Sequence, residues 1–542
     1  MTSSAQAAPD ASVAAPGPIP SLVSGPEHDA SVDSSRAHVY RGHIFHVAGA
    51  PTVQQAHDHL VSLPDGALVT GPTGTIVWVG DFAALPAAHS ALPVTEAGFI
   101  VPGFVDTHLH FPQTYATDTY GGGQLLEWLE TCIFPAEARL ADPAFAAQVA
   151  RDFTRARIAA GTTSALVFGS AFSHAQDALF EQTRQAGLRV VSGRGIQTVG
   201  SPAAQPLLTS EADALRLAEE EIARWHAVDT GDPATALLQV ALVPRFSLSV
   251  TPETLAGLGA LYERVRARGV YFHSHVNENN RPVTGEIDAV KAVYGVETYL
   301  DTYDGRFLPG SKPGGASLLG RRSILAHAVH CTDAELARLA ETGSSIAHCP
   351  TSQQFLGSGT MPWLRTIAAG VTVAIGTDVG AGDDWLVARV LNDAYKTHLS
   401  EPGDAGVALD PAALLFTGTL AGARALDMEA RYGNFDLGKD ADFLLIEPER
   451  WPPLHRVLEH GIRSSDGASE PANAPSSAER TLFALLMGLR EPALTGVYVQ
   501  GRRVVAPLPP VGSIGPAGEG FEAQQGDIAQ LAADDLGLFV VG

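Results

Sequence analysis

Eight short apolar runs, most of them separated by long amphipathic stretches, constrain this chain more than any other feature. In order they read "FIVPGFVDTHLH", "TTSALVFG", "RVVSGRGI", "LLQVALVP", "VYFHSHV", "SILAHAV", "SSIAHCP" and "VTVAIGTD". Helical patterning covers Asp142 to Ala160, Glu211 to Ala227, Pro252 to Arg268, Thr332 to Thr342 and Asp384 to Ser400. The first of these opens on Asp142 and Pro143, a capping side chain followed by a residue suited to the first helical position. Strands alternating with helices over residues 99–427 predict the α/β class and a (β/α)8 TIM-like barrel, whose strand C-termini carry the chemistry.

Short β-type runs flank this region. "VYRGHIFHV", "ALVTG" and "TIVWVGDF" lie before it, and "GNFDLGKDADFLLIEP" and "GVYVQGRRVV" after it. Each group is too small for a core of its own, so residues 37–98 and 428–506 are expected to pair into one composite β-sandwich. Residues 1–36, rich in Ala, Ser and Pro, and residues 507–542, rich in Gly and Pro, read as disordered tails. The stretch 462–480 reads as a flexible insertion.

A net charge of −24 argues against nucleic acid, whose binding needs Lys and Arg to neutralise phosphates; a small neutral substrate remains compatible. Neither a membrane-spanning run nor a secretory start is visible, which predicts a cytoplasmic protein with no membrane partner. Cys132, Cys331 and Cys349 are widely spaced and form no CxxC pair, so any metal has to sit on His and carboxylates.

Such residues stand at the predicted strand ends. His108 and His110 close the first strand, and residues two apart on a strand point the same way. Alone, an HxH pair reads equally well as structural. However, His275, His327 and Asp378 end the fifth, sixth and eighth strands, and four strand ends converging on nitrogen and oxygen donors predict a metal site. The donor set suits zinc and also iron(II), with zinc the better match. A bridged pair of metals would need a carboxylate or modified lysine at the end of the fourth strand. That strand ends "VALVPRF", and Lys291, Lys312, Lys396 and Lys439 all lie away from strand ends, so one metal is expected. Glu278, three residues past His275, reads as a proton shuttle beside the water, where an arbitrary glutamate would be a solvated loop residue. His273 points the same way as His275; it and His348 fit either a supporting role behind the ligands or simple core packing.

Taken together, "PGFVDTHLHFPQT", "LLEWLETCIFPAE", "VPRFSLS", "HSHVNEN", "AHCPTS", "GTDVGAG" and "GNFDLGKDADFLLI" resemble the guanine deaminase branch of the amidohydrolase superfamily, over about residues 37–505. The resemblance implies one zinc per subunit, hydrolysis of the purine base guanine to xanthine and ammonia, and a homodimer. It makes His108, His110, His275 and Asp378 ligands, and His327 a ligand or a hydrogen-bond partner of the water. Glu278 becomes the shuttle, with Asp378 and His327 also acting in the chemistry. Gln113, Arg245 and Phe246 become substrate contacts, and Leu125 and Trp128 walls of the base pocket. Arg245 also reads as a structural ion pair, and Leu125 and Trp128 as ordinary helix core. Gln353 stands where the family often has Asn. The alternative activity is that of a related deaminase or chlorohydrolase acting on 8-oxoguanine, cytosine or a triazine. A barrel that has lost its metal is disfavoured, because every ligand position is filled. A polynucleotide deaminase is disfavoured too, because its H-x-E…P-C-x-x-C pattern is absent.

Overall fold

Eight strands buried along nearly their whole length form the centre of the computed structural model, which describes residues 36–120, 124–280, 285–461 and 474–505. These barrel strands are β5 (Phe104–His110), β6 (Thr162–Phe168), β7 (Arg189–Gly193), β9 (Leu238–Pro244), β10 (Tyr271–Val276), β11 (Ser323–His327), β12 (Ser345–His348) and β13 (Thr372–Ile375). A two-residue strand, β8 (Gly195–Ile196), adds to β9. All pairings along the path from β5 to β13 are parallel. Covered inside by side chains and outside by helices, such strands read as continuous apolar runs, which is why all eight were legible in the sequence.

The helices start where their caps dictate. Asp142 accepts from Ala144 N and Phe145 N to open Pro143–Ala159. Thr251 caps Pro252–Val265, and Thr332 with Glu335 forms a capping box for Asp333–Thr342. At the seam between β5 and β13 the Thr107 hydroxyl donates to Ile375 O, and His110 N donates to Val379 O at 2.7 Å. The seam is also pinned by Asp106, which accepts from Thr377 N at 3.0 Å and from the Thr377 hydroxyl at 2.6 Å.

The second sheet runs in the order β16-β15-β14-β4-β1-β2-β3. Its strands are β1 (His38–Val47), β2 (Leu60–Thr70), β3 (Ile76–Asp81), β4 (Val94–Pro102), β14 (Phe443–Ile446), β15 (Leu494–Val499) and β16 (Arg502–Arg503). Segments from both ends of the described chain therefore share one sandwich-like unit, with β4 antiparallel to β14. Alternation along the strands divides its two faces. Ile100, Phe443 and Leu445 pack with Tyr40, Ile44 and Phe435 on one face; Phe99, Val101, Leu444 and Ile446 join the main core on the other. Arg189 on β7 reaches Asp440 and Asp442 at 2.6 Å each and ties this unit to the barrel.

The expected tails fall outside the described residues, apart from Arg36. Of the stretch 462–480, residues 462–473 also fall outside, but the remainder is no loose insertion. Ser476 and Glu479 form a capping box that starts the helix Ser477–Gly488, and the Ser, Pro and Ala content had hidden that signal. Among the described residues, no helix is long and apolar enough to cross a membrane.

Candidate active site

Strand alternation sends His108 and His110 into the barrel mouth from the end of β5, where β10 adds His275 and the turn after β13 adds Asp378. Asp378 Oδ1 lies 3.2 Å from His108 Nε2 and 3.1 Å from His110 Nε2. His110 Nε2 is 3.2 Å from His108 Nε2 and 3.3 Å from His275 Nε2. These four donor atoms all lie within 4.8 Å of one another. Bonds of ~2.0–2.1 Å to a tetrahedral zinc place neighbouring donors ~3.3 Å apart, close to the four donor distances above.

The hydrogen bonds behind the rings fix which nitrogen is bare. His273 Nδ1 donates to Ile324 O at 2.8 Å, so His273 Nε2 accepts the proton of His108 Nδ1, also at 2.8 Å. His275 Nδ1 donates to Arg245 O at 2.6 Å. The Nε2 lone pairs of His108 and His275 are thereby turned inward, as a metal requires. Burial lowers His110 to about 4 and His275 well below the usual imidazole value, which keeps both rings neutral. Burial opposes ionisation of Asp378, yet the neighbouring imidazoles of His108, His110 and His327 hold its carboxyl well below the ordinary range. Three imidazoles and one carboxylate converging at these distances fit a divalent transition-metal ion.

Two of these residues occupy backbone conformations that L-residues avoid: φ is 73° at His327 and 53° at Asp378. Neither is glycine, and such geometry costs about 1–3 kcal/mol per residue, so the surrounding structure holds both turns against local preference. His327 stands beside the four-donor group. Its Nε2 is 3.3 Å from Glu278 Oε2 and 3.8 Å from Asp378 Oδ2, and neither ring nitrogen makes a hydrogen bond among the described residues.

Glu278 is 2% exposed, and its Oε1 is buried without a hydrogen-bond partner among the described residues. Burial, then the charges of Glu286 and Asp378, raise its carboxyl well above the usual range, which makes it a stronger proton acceptor than an exposed carboxylate. Glu286, not foreseen from the sequence, is itself raised to about 7 by burial; it accepts from the Tyr299 hydroxyl at 2.7 Å and from Asn279 N at 3.3 Å. The loop that carries Glu278 is anchored by those bonds.

A partly enclosed cavity opens onto these groups. His110, His275, His327, Glu278 and Asp378 line it together with Gln113, Leu125, Trp128, Arg245 and Phe246. Every site residue expected from the sequence lines this cavity except His108, which lies behind it as part of the donor cluster. Leu125, Trp128 and Phe246 also pack with Leu129, Phe134 and Leu356, so wall and local core are the same residues. Arg245 combines both of its readings: it faces the cavity and also pairs with Glu137 at 2.7 Å. His348 faces away, bonded to His398 at 2.9 Å and close to Trp363.

A barrel that gathers imidazoles and a carboxylate at one end, next to a buried carboxyl group, belongs to the class of barrel hydrolases that work with a metal. Residues 99–504 match the model of the amidohydrolase family, and the chain belongs to that family. It is 38% identical to a probable guanine deaminase of Deinococcus radiodurans, over 82% of this chain and 94% of the relative. It is 36% identical to a guanine deaminase of Escherichia coli K12, over 65% of this chain and 74% of the relative. The solved structure of the E. coli guanine deaminase superposes with a TM-score of 0.73 at 30% identity, covering 87% of this chain and 99% of that one.

Proposed function

We propose that this protein is a guanine deaminase, which hydrolyses guanine to xanthine and ammonia in purine catabolism. The observation that carries the reading is that one cavity holds both the donor cluster with Glu278 and the pair Arg245 and Gln113. Guanine carries its amino group on one ring carbon and its carbonyl on the carbon two positions away, with one ring nitrogen between them. A guanidinium matches the carbonyl oxygen, and an amide matches an edge that both donates and accepts. Phe246, Leu125 and Trp128 supply apolar surface for the ring. The relatives named above support the same substrate.

In this reading one zinc ion per subunit is held by His108, His110, His275 and Asp378, with His327 either a further ligand or the hydrogen-bond partner of the water. When bound, the metal lowers the pKa of water toward ~7 and so makes a nucleophile available at neutral pH. Asp378 and Glu278 take up the protons released by the attacking water. Glu278 delivers one to the ring nitrogen beside the amino-bearing carbon, and a second proton lets the amino group leave as ammonia. His327 steadies the developing tetrahedral centre, while Arg245 holds the carbonyl. The reading includes a homodimer in the cytoplasm, which sedimentation and cell fractionation would check.

The test is ammonia release by the purified protein from guanine, 8-oxoguanine, cytosine, adenine and a triazine. Guanine is expected to be turned over with by far the highest kcat/KM. A higher kcat/KM on any of the others would overturn the substrate assignment.

A further inference from the structure

Resting on that reading, we infer that Glu137 sets the specificity of the site by positioning Arg245 and Gln113 without touching the base. Its Oε1 accepts from Gln113 Nε2 at 2.9 Å, and its Oε2 accepts from Arg245 Nη1 at 2.7 Å. The side chain is 7% exposed and lies outside the cavity lining, behind the two residues that it joins. It projects from the short helix Phe134–Ala138, 108 positions before Arg245 in the chain.

The bonds leave little freedom to either partner. A carboxylate only accepts, so it selects the nitrogen end of the Gln113 amide. Gly380 N only donates and selects the oxygen end, at 3.2 Å. Gln113 is thus held in one of its two flip states, with one N–H and one lone pair left over. Arg245 is fixed at Nη1 by Glu137 and lies over the Phe134 ring, with its guanidinium carbon 5.2 Å from the ring centre. Among the described residues its guanidinium makes no other hydrogen bond, so Nε and Nη2 keep donors for a carbonyl. The carboxylate also supplies the counter-charge that allows a guanidinium to stay buried. A glutamine at 137 offers one acceptor and one donor group, and so satisfies one of the two partners at most.

The experiment measures kcat and KM on guanine and adenine, with metal content, for wild type, Glu137→Gln and Glu137→Asp. Glu137→Gln is expected to keep its metal and a kcat within a few-fold of wild type. KM for guanine should rise by about 10- to 100-fold, the range for a lost hydrogen bond to a charged group, and the preference over adenine should narrow. Glu137→Asp, which keeps the charge at shorter reach, should fall between them. Adding Arg245→Met to Glu137→Gln should cost little more than Arg245→Met alone, because one residue acts through the other. Unchanged KM and preference in Glu137→Gln would overturn the inference. So would a fall in kcat that tracks metal loss, or a failure of both single variants to fold, since each marks a purely structural role. A wild-type protein inert on guanine would instead overturn the substrate reading beneath it.

Discussion

Replacing His273 with leucine tests whether the metal site is built from behind. His273 is fully buried, accepts from His108 Nδ1 and donates to Ile324 O, both at 2.8 Å. Leucine has similar bulk and makes neither bond. The His108 ring then loses the partner that keeps its Nε2 bare and aimed inward. Partners behind metal-bound histidines are typically worth 10–100-fold in metal affinity, about 1.4–2.7 kcal/mol. The orphaned Nδ1–H and carbonyl add about 1–3 kcal/mol each in lost stability. Chelator competition on the purified variant should therefore show metal affinity weaker by about 10- to 100-fold. Urea melts should show a loss of stability that persists in excess chelator, plus a metal-linked part that disappears there. An unchanged metal affinity would refute the reasoning and return His273 to ordinary packing.

Three further outcomes follow from the site. His108→Ala or His110→Ala should abolish bound metal and activity together, and full metal occupancy by elemental analysis would show the ligand assignment to be wrong. Glu278→Gln should keep the metal while guanine turnover falls by about 10²–10⁴-fold, and a near-normal kcat would remove Glu278 from proton transfer. Arg245→Met should lower kcat/KM for guanine steeply, and wild type should reject adenine by about 10⁴-fold, because an amino group in place of the carbonyl faces donors with a donor. Comparable turnover of the two purines by wild type would count against that pairing.

The sequence disclosed the groups whose position follows from a repeating geometry. His108, His110, His275 and His327 could be placed because each ends an apolar run, and a strand end in a barrel has one place to go. Asp142 with Pro143 marked a helix start for an equally local reason. Glu137, Glu286 and Asp106 were not legible. Their partners lie across the fold, and a glutamate on a four- or five-residue helical turn looks the same in sequence whether it meets Arg245 or solvent. The helix around Glu137 is preceded by a π-helical turn, Leu129–Ile133, which breaks the 3.6-residue period used to assign faces. Asp106 sits inside the "VDTHLH" motif but acts sideways on Thr377, a contact created only when the barrel closes.

The pairing of β4 with β14 gives the growing chain a scheduling problem. About 340 residues separate the two strands, although Ile100 lies directly beside Leu445 in the finished sheet. At ~5–20 residues per second, the ribosome takes roughly 17–70 s to deliver the strand that covers the β4 edge. Throughout that interval Phe99, Ile100 and Val101 form an apolar border with open backbone groups, the kind of edge that recruits a neighbouring chain. Nascent chains stalled before Phe443 are therefore expected to pellet, and chaperone dependence during synthesis should fall sharply once translation passes Ile446.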